Sequence, residues 1–217
     1  MSRLGALMEE KNIYIADGHH RLDVSFKLQI PYIPLYLTNM YSRGIVILPY
    51  HRTIQFKKHR SLRDLLGLLG DLIKIEKYPL ANDNSIKDAL NKIAMSLKPA
   101  YVLYSRDDTA NFYMLREKSP LLISHDIPES LKKLKVNILH NGILKDILHI
   151  SEDDISFTQD PFAATDSVRK GSLDLTLLLP PTTVDEVKDI SDNSLCMPPK
   201  STFFYPKILT GLVFCSF

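Results

Sequence analysis

The residues best placed to do chemistry are Asp17-Gly18-His19-His20-Arg21, five consecutive positions that together can bind phosphate, hold a metal and move a proton. Glycine lets a ligand approach the backbone closely, an arginine fork grips two phosphate oxygens at once, and histidine donates a hydrogen bond or carries a proton near neutral pH. An ionised Asp17 would repel a phosphate unless magnesium lay between them, so a nucleotide with its metal satisfies all five residues. Asp17, His19 and His20 are therefore candidate catalytic groups, Gly18 and Arg21 candidate phosphate contacts, and Asp17 the candidate metal ligand. A plainer reading stands beside this one: Asp17 makes a turn, Gly18 tolerates it, and the rest is a solvated first helical turn. Zinc is a weaker option, because adjacent histidines on a helix point roughly 100° apart.

Two further places carry candidate phosphate contacts. His51-Arg52 follows the strand-like run Gly44–Leu48 and is expected at a polar corner, where it could converge on the same pocket or simply be solvated. Lys200-Ser201-Thr202 looks like the end of a phosphate-binding P-loop, yet Cys196-Met197-Pro198-Pro199 replaces the required upstream glycines and no helix is expected after it. The prolines of that stretch would stiffen it and hold Lys200 and Lys207 in place, or the aromatics would pack as a sheet edge. The basic runs Lys57–Arg60 and Lys132–Lys135 read as solvated flanks.

These residues need elements to position them. Leu4, Leu7 and Met8 suggest a short helix, Ile13–Ala16 a buried strand, Asp17-Gly18 a turn, and His19–Leu28 a helix ended before Pro31. A strand at Tyr32–Leu37 and one at Gly44–Leu48 follow. Ser61 and Asp64 predict a capped helix through Leu69, stopped at Gly70. Beyond it the pattern predicts a strand at Leu72–Tyr78, a helix along Ile86, Leu90, Ile93 and Leu97, and a hairpin of Tyr101–Ser105 with Asn111–Arg116. Then come a helix over Ile138–Leu148 weakened by Asn141-Gly142, a strand at Ile155–Phe157, a helix at Pro161–Arg169, a strand at Leu173–Leu179, a helix at Thr183–Asn193 and a last strand at Ile208–Phe214. Hairpins mix with crossovers, so the fold class is α+β, a mixed α/β chain.

Composition narrows the functional classes. The chain has 217 residues, 45% of them hydrophobic, which supplies a real core. A formal net charge of only +2 disfavours nucleic acid and anionic membranes as partners. Glu9 and Glu10 break the first apolar stretch, unlike a signal peptide, and no run reaches the ~20 apolar residues of a membrane helix. Cys196 and Cys215 lack metal-ligand spacing, so a reducing compartment, the cytoplasm, is expected.

The strings IADGHHR at Ile15–Arg21, NMYSRGIVILPYHR at Asn39–Arg52 and MPPKSTFFYPKILTGLV at Met197–Val213 resemble a prokaryotic family known as domain of unknown function 1015, matching its C-terminal half. That family is itself similar to ADP- or ATP-dependent free-serine kinases and, more distantly, to the ParB/sulfiredoxin-like fold. The resemblance implies a nucleotide-dependent phosphotransferase of the small-molecule kinase type or a nucleotide hydrolase, with Mg2+ and ATP or ADP as cofactors and a small-molecule acceptor. The alternative is a non-enzymatic nucleotide-binding regulatory module. It further implies residues 1–60 as the remnant of a ParB/sulfiredoxin-like nucleotide-binding domain and 61–217 as a C-terminal α+β domain. Only 14 residues precede Ile15 where the family has a long segment, so the chain is expected to be a fragment that pairs with an N-terminal partner half or with a second copy. Leu22 stands where the family often has tyrosine.

Overall fold

The computed structural model describes residues 3–121, 123, 127–209 and 211. The chain divides into two compact units, residues 1–46 with 204–217 and residues 47–203.

The larger unit is built on a six-stranded sheet. Its strands are β2 (His51–Ile54), β3 (Ile73–Pro79), β4 (Ala100–Ser105), β5 (Asn111–Glu117), β6 (Ile155–Thr158) and β7 (Leu175–Leu178), in the order β3-β5-β4-β7-β2-β6. Every neighbouring pair is antiparallel. β1 (Val46–Leu48) and β8 (Phe203–Tyr205) form a separate two-stranded sheet.

Side-chain alternation sends successive residues of the six-stranded sheet into two cores. Ile54, Tyr101, Leu103, Tyr113, Leu115, Leu175 and Leu177 enter one core, with Leu65 and Leu69 of α3 (Leu62–Leu69) and Ile190 of α8 (Val184–Asp192). Val102, Tyr104, Phe112, Met114 and Leu178 enter the other, with Ile86 and Ile93 of α4 (Asp83–Ala94) and Val168 of α7 (Pro161–Arg169). Both faces of β4 are covered, so all six of its residues are buried. Each fully buried Leu or Ile stabilises the unit by about 1.5–3 kcal/mol.

Local chemistry explains the helix starts. Ser61 accepts the Asp64 N–H at 3.1 Å, Asp160 accepts those of Phe162 and Ala163 ahead of Pro161, and Thr183 forms a capping box with Glu186. The predicted helix over Ile138–Leu148 is present as a π-helix, Ile138–Ile147, closed by the Leu148 N–H on the Ile143 carbonyl. Two short helical turns, α5 (Glu129–Lys132) and α6 (Lys135–Asn137), lead into it.

The smaller unit differs from expectation. It holds α1 (Arg3–Met8) and α2 (His19–Lys27) as predicted, but neither Ile13–Ala16 nor Tyr32–Leu37 forms a strand. An apolar alternation becomes a strand only when a neighbour completes its ladder, which periodicity within one segment does not supply. Ile13 is 54% exposed and Tyr32 77%, and no described residue of 3–46 is buried. His51-Arg52 was expected at a polar corner; both residues lie instead inside the sheet, on β2. Of the strand expected at Ile208–Phe214, Ile208, Leu209 and Gly211 are outside any strand, and residues 210 and 212–214 lie outside the described residues, as does Cys215. Among the described residues no helix is long and apolar enough to cross a membrane.

Candidate functional site

Within the smaller unit, Gly18 opens α2 with φ 85°, a left-handed conformation that costs glycine nothing and other residues strain. Among the described residues no side chain caps this helix, and its first turn carries no acid, so the positive dipole end is not offset there. Arg21 folds back over the glycine: a Cβ placed on Gly18 would lie 3.0 Å from one terminal guanidinium nitrogen and 3.2 Å from Nε. The Leu22 N–H closes the turn on the Gly18 carbonyl at 3.0 Å. His19 and His20 are exposed at the same helix end. Asp17 pairs with Lys207 Nζ at 3.3 Å, which joins the first and third sequence strings.

The larger unit holds the other candidates. Strand alternation sends His51 and Arg52 to opposite faces of β2, so the two adjacent side chains do not act together. His51 is 2% exposed and its Nδ1 accepts the Leu179 N–H at 3.3 Å, leaving its proton on Nε2. Burial, with Arg52 next, pushes the imidazole down to about 4, so it is neutral near pH 7. Arg52 is 1% exposed, lies 5.2 Å over the Phe157 ring and donates to the Tyr50 carbonyl, while its Nε has no hydrogen-bond partner among the described residues. Burial lowers it to about 10, which leaves it charged at neutral pH.

Lys200 is an exposed cation in the loop ahead of β8. Its backbone has φ 56°, and its Nζ sits 5.2 Å over the Tyr50 ring, which meets Phe203 edge-on at 5.8 Å. The second and third strings therefore meet through an aromatic pair, one ring of which belongs to the aromatics expected to pack as a sheet edge. Ser201 is buried, its hydroxyl donating to the Pro198 carbonyl and its own carbonyl accepting from Thr182 Oγ1 at 3.2 Å, so it braces the loop. Thr202 is half-buried beside it. Among the described residues no three His, Cys, Asp or Glu side chains converge to hold a metal ion.

A mixed α/β architecture with an uncapped, glycine-led helix is the class of protein that these observations define. The chain belongs to the family described as protein of unknown function (DUF1015), whose profile matches residues 1–137. Its fold is similar to that of a mutant free serine kinase solved with AMP, at a TM-score of 0.51 and 16% identity, covering 88% of this chain and 66% of that one. The same holds for a mutant free serine kinase with ADP, at TM-score 0.50 and 16% identity over 88% and 66% of the two chains. A conserved hypothetical protein from Pyrococcus furiosus aligns at TM-score 0.46 and 15% identity over 88% and 68%. This chain thus spans about 66% of the length of those kinases. Among curated proteins none matches the sequence.

Proposed function

We propose that the chain is a nucleotide-dependent phosphotransferase of the small-molecule kinase type, with Asp17–Arg21 handling the phosphates of ATP or ADP. The observation that carries this reading is the uncapped N-terminus of α2 with the Arg21 guanidinium laid over Gly18. Support comes also from the shared fold, because solved free serine kinases hold AMP and ADP.

In this reading the α2 N–H groups and Arg21 bind the phosphate chain, and His19 or His20 donates to the transferring group. Asp17 would hold Mg2+, whose contribution is to neutralise phosphate charge. Lys207, now paired with Asp17, turns its ammonium to a phosphate oxygen when that carboxylate is otherwise engaged. Lys200, over the Tyr50 ring in a loop braced by Ser201, offers a second cation to an anionic ligand, with the Thr202 hydroxyl as a further contact. His51 and Arg52, both buried, support the sheet in place of the ligand. The derivation of residues 1–60 from a ParB/sulfiredoxin-like domain, and a cytoplasmic place of action, belong to the same proposal.

The test is calorimetry with magnesium-ADP on the chain and on Arg21→Ala. Loss of at least tenfold in affinity, about 1.4 kcal/mol, is expected. Equal affinity would remove Arg21 from the phosphate site and the reading with it. Phosphate release that never accompanies binding, with any acceptor, would favour a nucleotide-sensing module.

A further inference from the structure

The run Lys57-Lys58-His59-Arg60 leads from the sheet to α3 and lines a cleft of about 340 Å³ in the larger unit. His149-Ile150-Ser151 and Asp154 line it as well. A volume of this order suits a small organic ligand.

The lining is organised rather than merely basic. Arg60 lies 5.6 Å over the Phe56 ring and donates to the Leu148 carbonyl, which fixes its plane and commits one of its five N–H donors. Lys57 pairs with Asp153 at 3.6 Å, and His59 lies 3.7 Å from Asp107 and 3.2 Å from Arg106. Lys58, by contrast, has no ion-pair partner among the described residues, and nor does His149.

His149 has φ 50°, the left-handed position that closes the π-helix as the Ile150 N–H bonds to the Leu144 carbonyl at 2.8 Å. Glycine occupies such positions most cheaply. Here a histidine stands there instead and lines the cleft.

Three cations and two imidazoles line the space against the single carboxylate of Asp154. A fixed guanidinium, a flexible ammonium and an imidazole match the terminal oxygens of a phosphate dianion. Asp107, Asp153 and Asp154 around the basic run would repel a continuous phosphodiester backbone, so a compact ligand fits better than a nucleic acid. We infer that this cleft is a second ligand site, for a small phosphate monoester held by Lys58, Arg60 and His149, with its hydroxylated body toward Ser151 and Asp154.

The experiment is calorimetric titration of the full chain with glycerol phosphate and with inorganic phosphate, at ionic strength fixed with chloride. Lys58→Glu, His149→Gly and Arg21→Ala are titrated in parallel. Saturable binding of glycerol phosphate should weaken at least tenfold in Lys58→Glu, and the component lost in that variant should persist in Arg21→Ala, whatever the fate of the nucleotide reading. His149→Gly should melt higher yet bind more weakly, because relief of the left-handed strain removes the imidazole. Absence of saturable binding, or affinity unchanged by Lys58→Glu, would overturn the site. Loss in Arg21→Ala alone would assign the phosphate to the α2 turn instead. Inorganic phosphate binding as tightly as the ester would overturn the assignment of the hydroxylated body.

Discussion

Replacing Gly18 by alanine is a sharp test of how the α2 turn works. Gly18 has φ 85°, so the alanine carries about 1–2 kcal/mol of left-handed strain. Its methyl would also lie 3.0 Å and 3.2 Å from two Arg21 nitrogens, and the guanidinium must leave its place over the turn. If that place is the phosphate grip, a charge-assisted hydrogen bond worth about 1.5–3 kcal/mol is lost, roughly a 10- to 150-fold weaker magnesium-ADP affinity by calorimetry. At about 2–4 °C per kcal/mol for a chain of this size, the left-handed strain lowers the thermal midpoint by roughly 2–8 °C if α2 melts with the rest, and by less if α2, none of whose residues is buried, frays first. Because Gly18→Ala and Arg21→Ala remove the same interaction, the double variant should lose clearly less than the sum, with a coupling of about 1 kcal/mol or more. Wild-type affinity in Gly18→Ala, or strict additivity, would refute the idea that the glycine exists to seat Arg21.

Other predictions concern the larger unit. Asp174, 7% exposed, accepts the Phe56 N–H at 2.6 Å and pairs with Arg106 at 2.8 Å. Asp174→Ala leaves a partly buried amide unpaired and should cost about 2–4 kcal/mol in urea unfolding, discounted because Arg106 is 41% exposed and can rehydrate; a cost below about 1 kcal/mol would contradict it. His51 is held near 4 in the folded protein against an ordinary 6.5, so protons bind the unfolded chain more readily. Stability from this group is complete above pH 6.5 and is lost as pH falls toward 4, by about 3 kcal/mol in all. Denaturant midpoints measured across that window should fall in the native chain and fall less in His51→Asn, whose amide oxygen can accept the Leu179 N–H; parallel profiles would show that His51 is not the titrating group.

Much of the larger unit was legible because its signals are local. Asp160-Pro161 announces α7, Ser61 and Asp64 announce α3, and the apolar positions 86 and 93 mark the buried face of α4. β2 was hidden because its first residues are a histidine and an arginine, types that seldom enter a core; their burial depends on Thr176, Leu179 and Phe157, all far away in sequence. The converse error lies in Ile13–Ala16 and Tyr32–Leu37, where an apolar pattern promised strands but pairing is not a property of one segment. At the candidate site, the glycine-led turn and the helix after it were readable from Asp17–Arg21. The pairing of Asp17 with Lys207, and the seat of Lys200 on Tyr50, required the fold.

The strand order has a consequence for how this protein is made. β3, β4 and β5 follow one another in sequence, so the three-stranded segment β3-β5-β4 can close on the ribosome once Glu117 has left the exit tunnel. β2 is synthesised earlier but has no place to go. Its partners are β6 and β7, and the Thr176 hydroxyl that bonds the Arg52 carbonyl is 124 residues downstream. Throughout that delay the growing polypeptide displays Thr53-Ile54 and an unpaired backbone next to an already finished hairpin. Native pairing of β2 therefore waits until β6 and β7 have been made, whatever the stability of the strands synthesised before them.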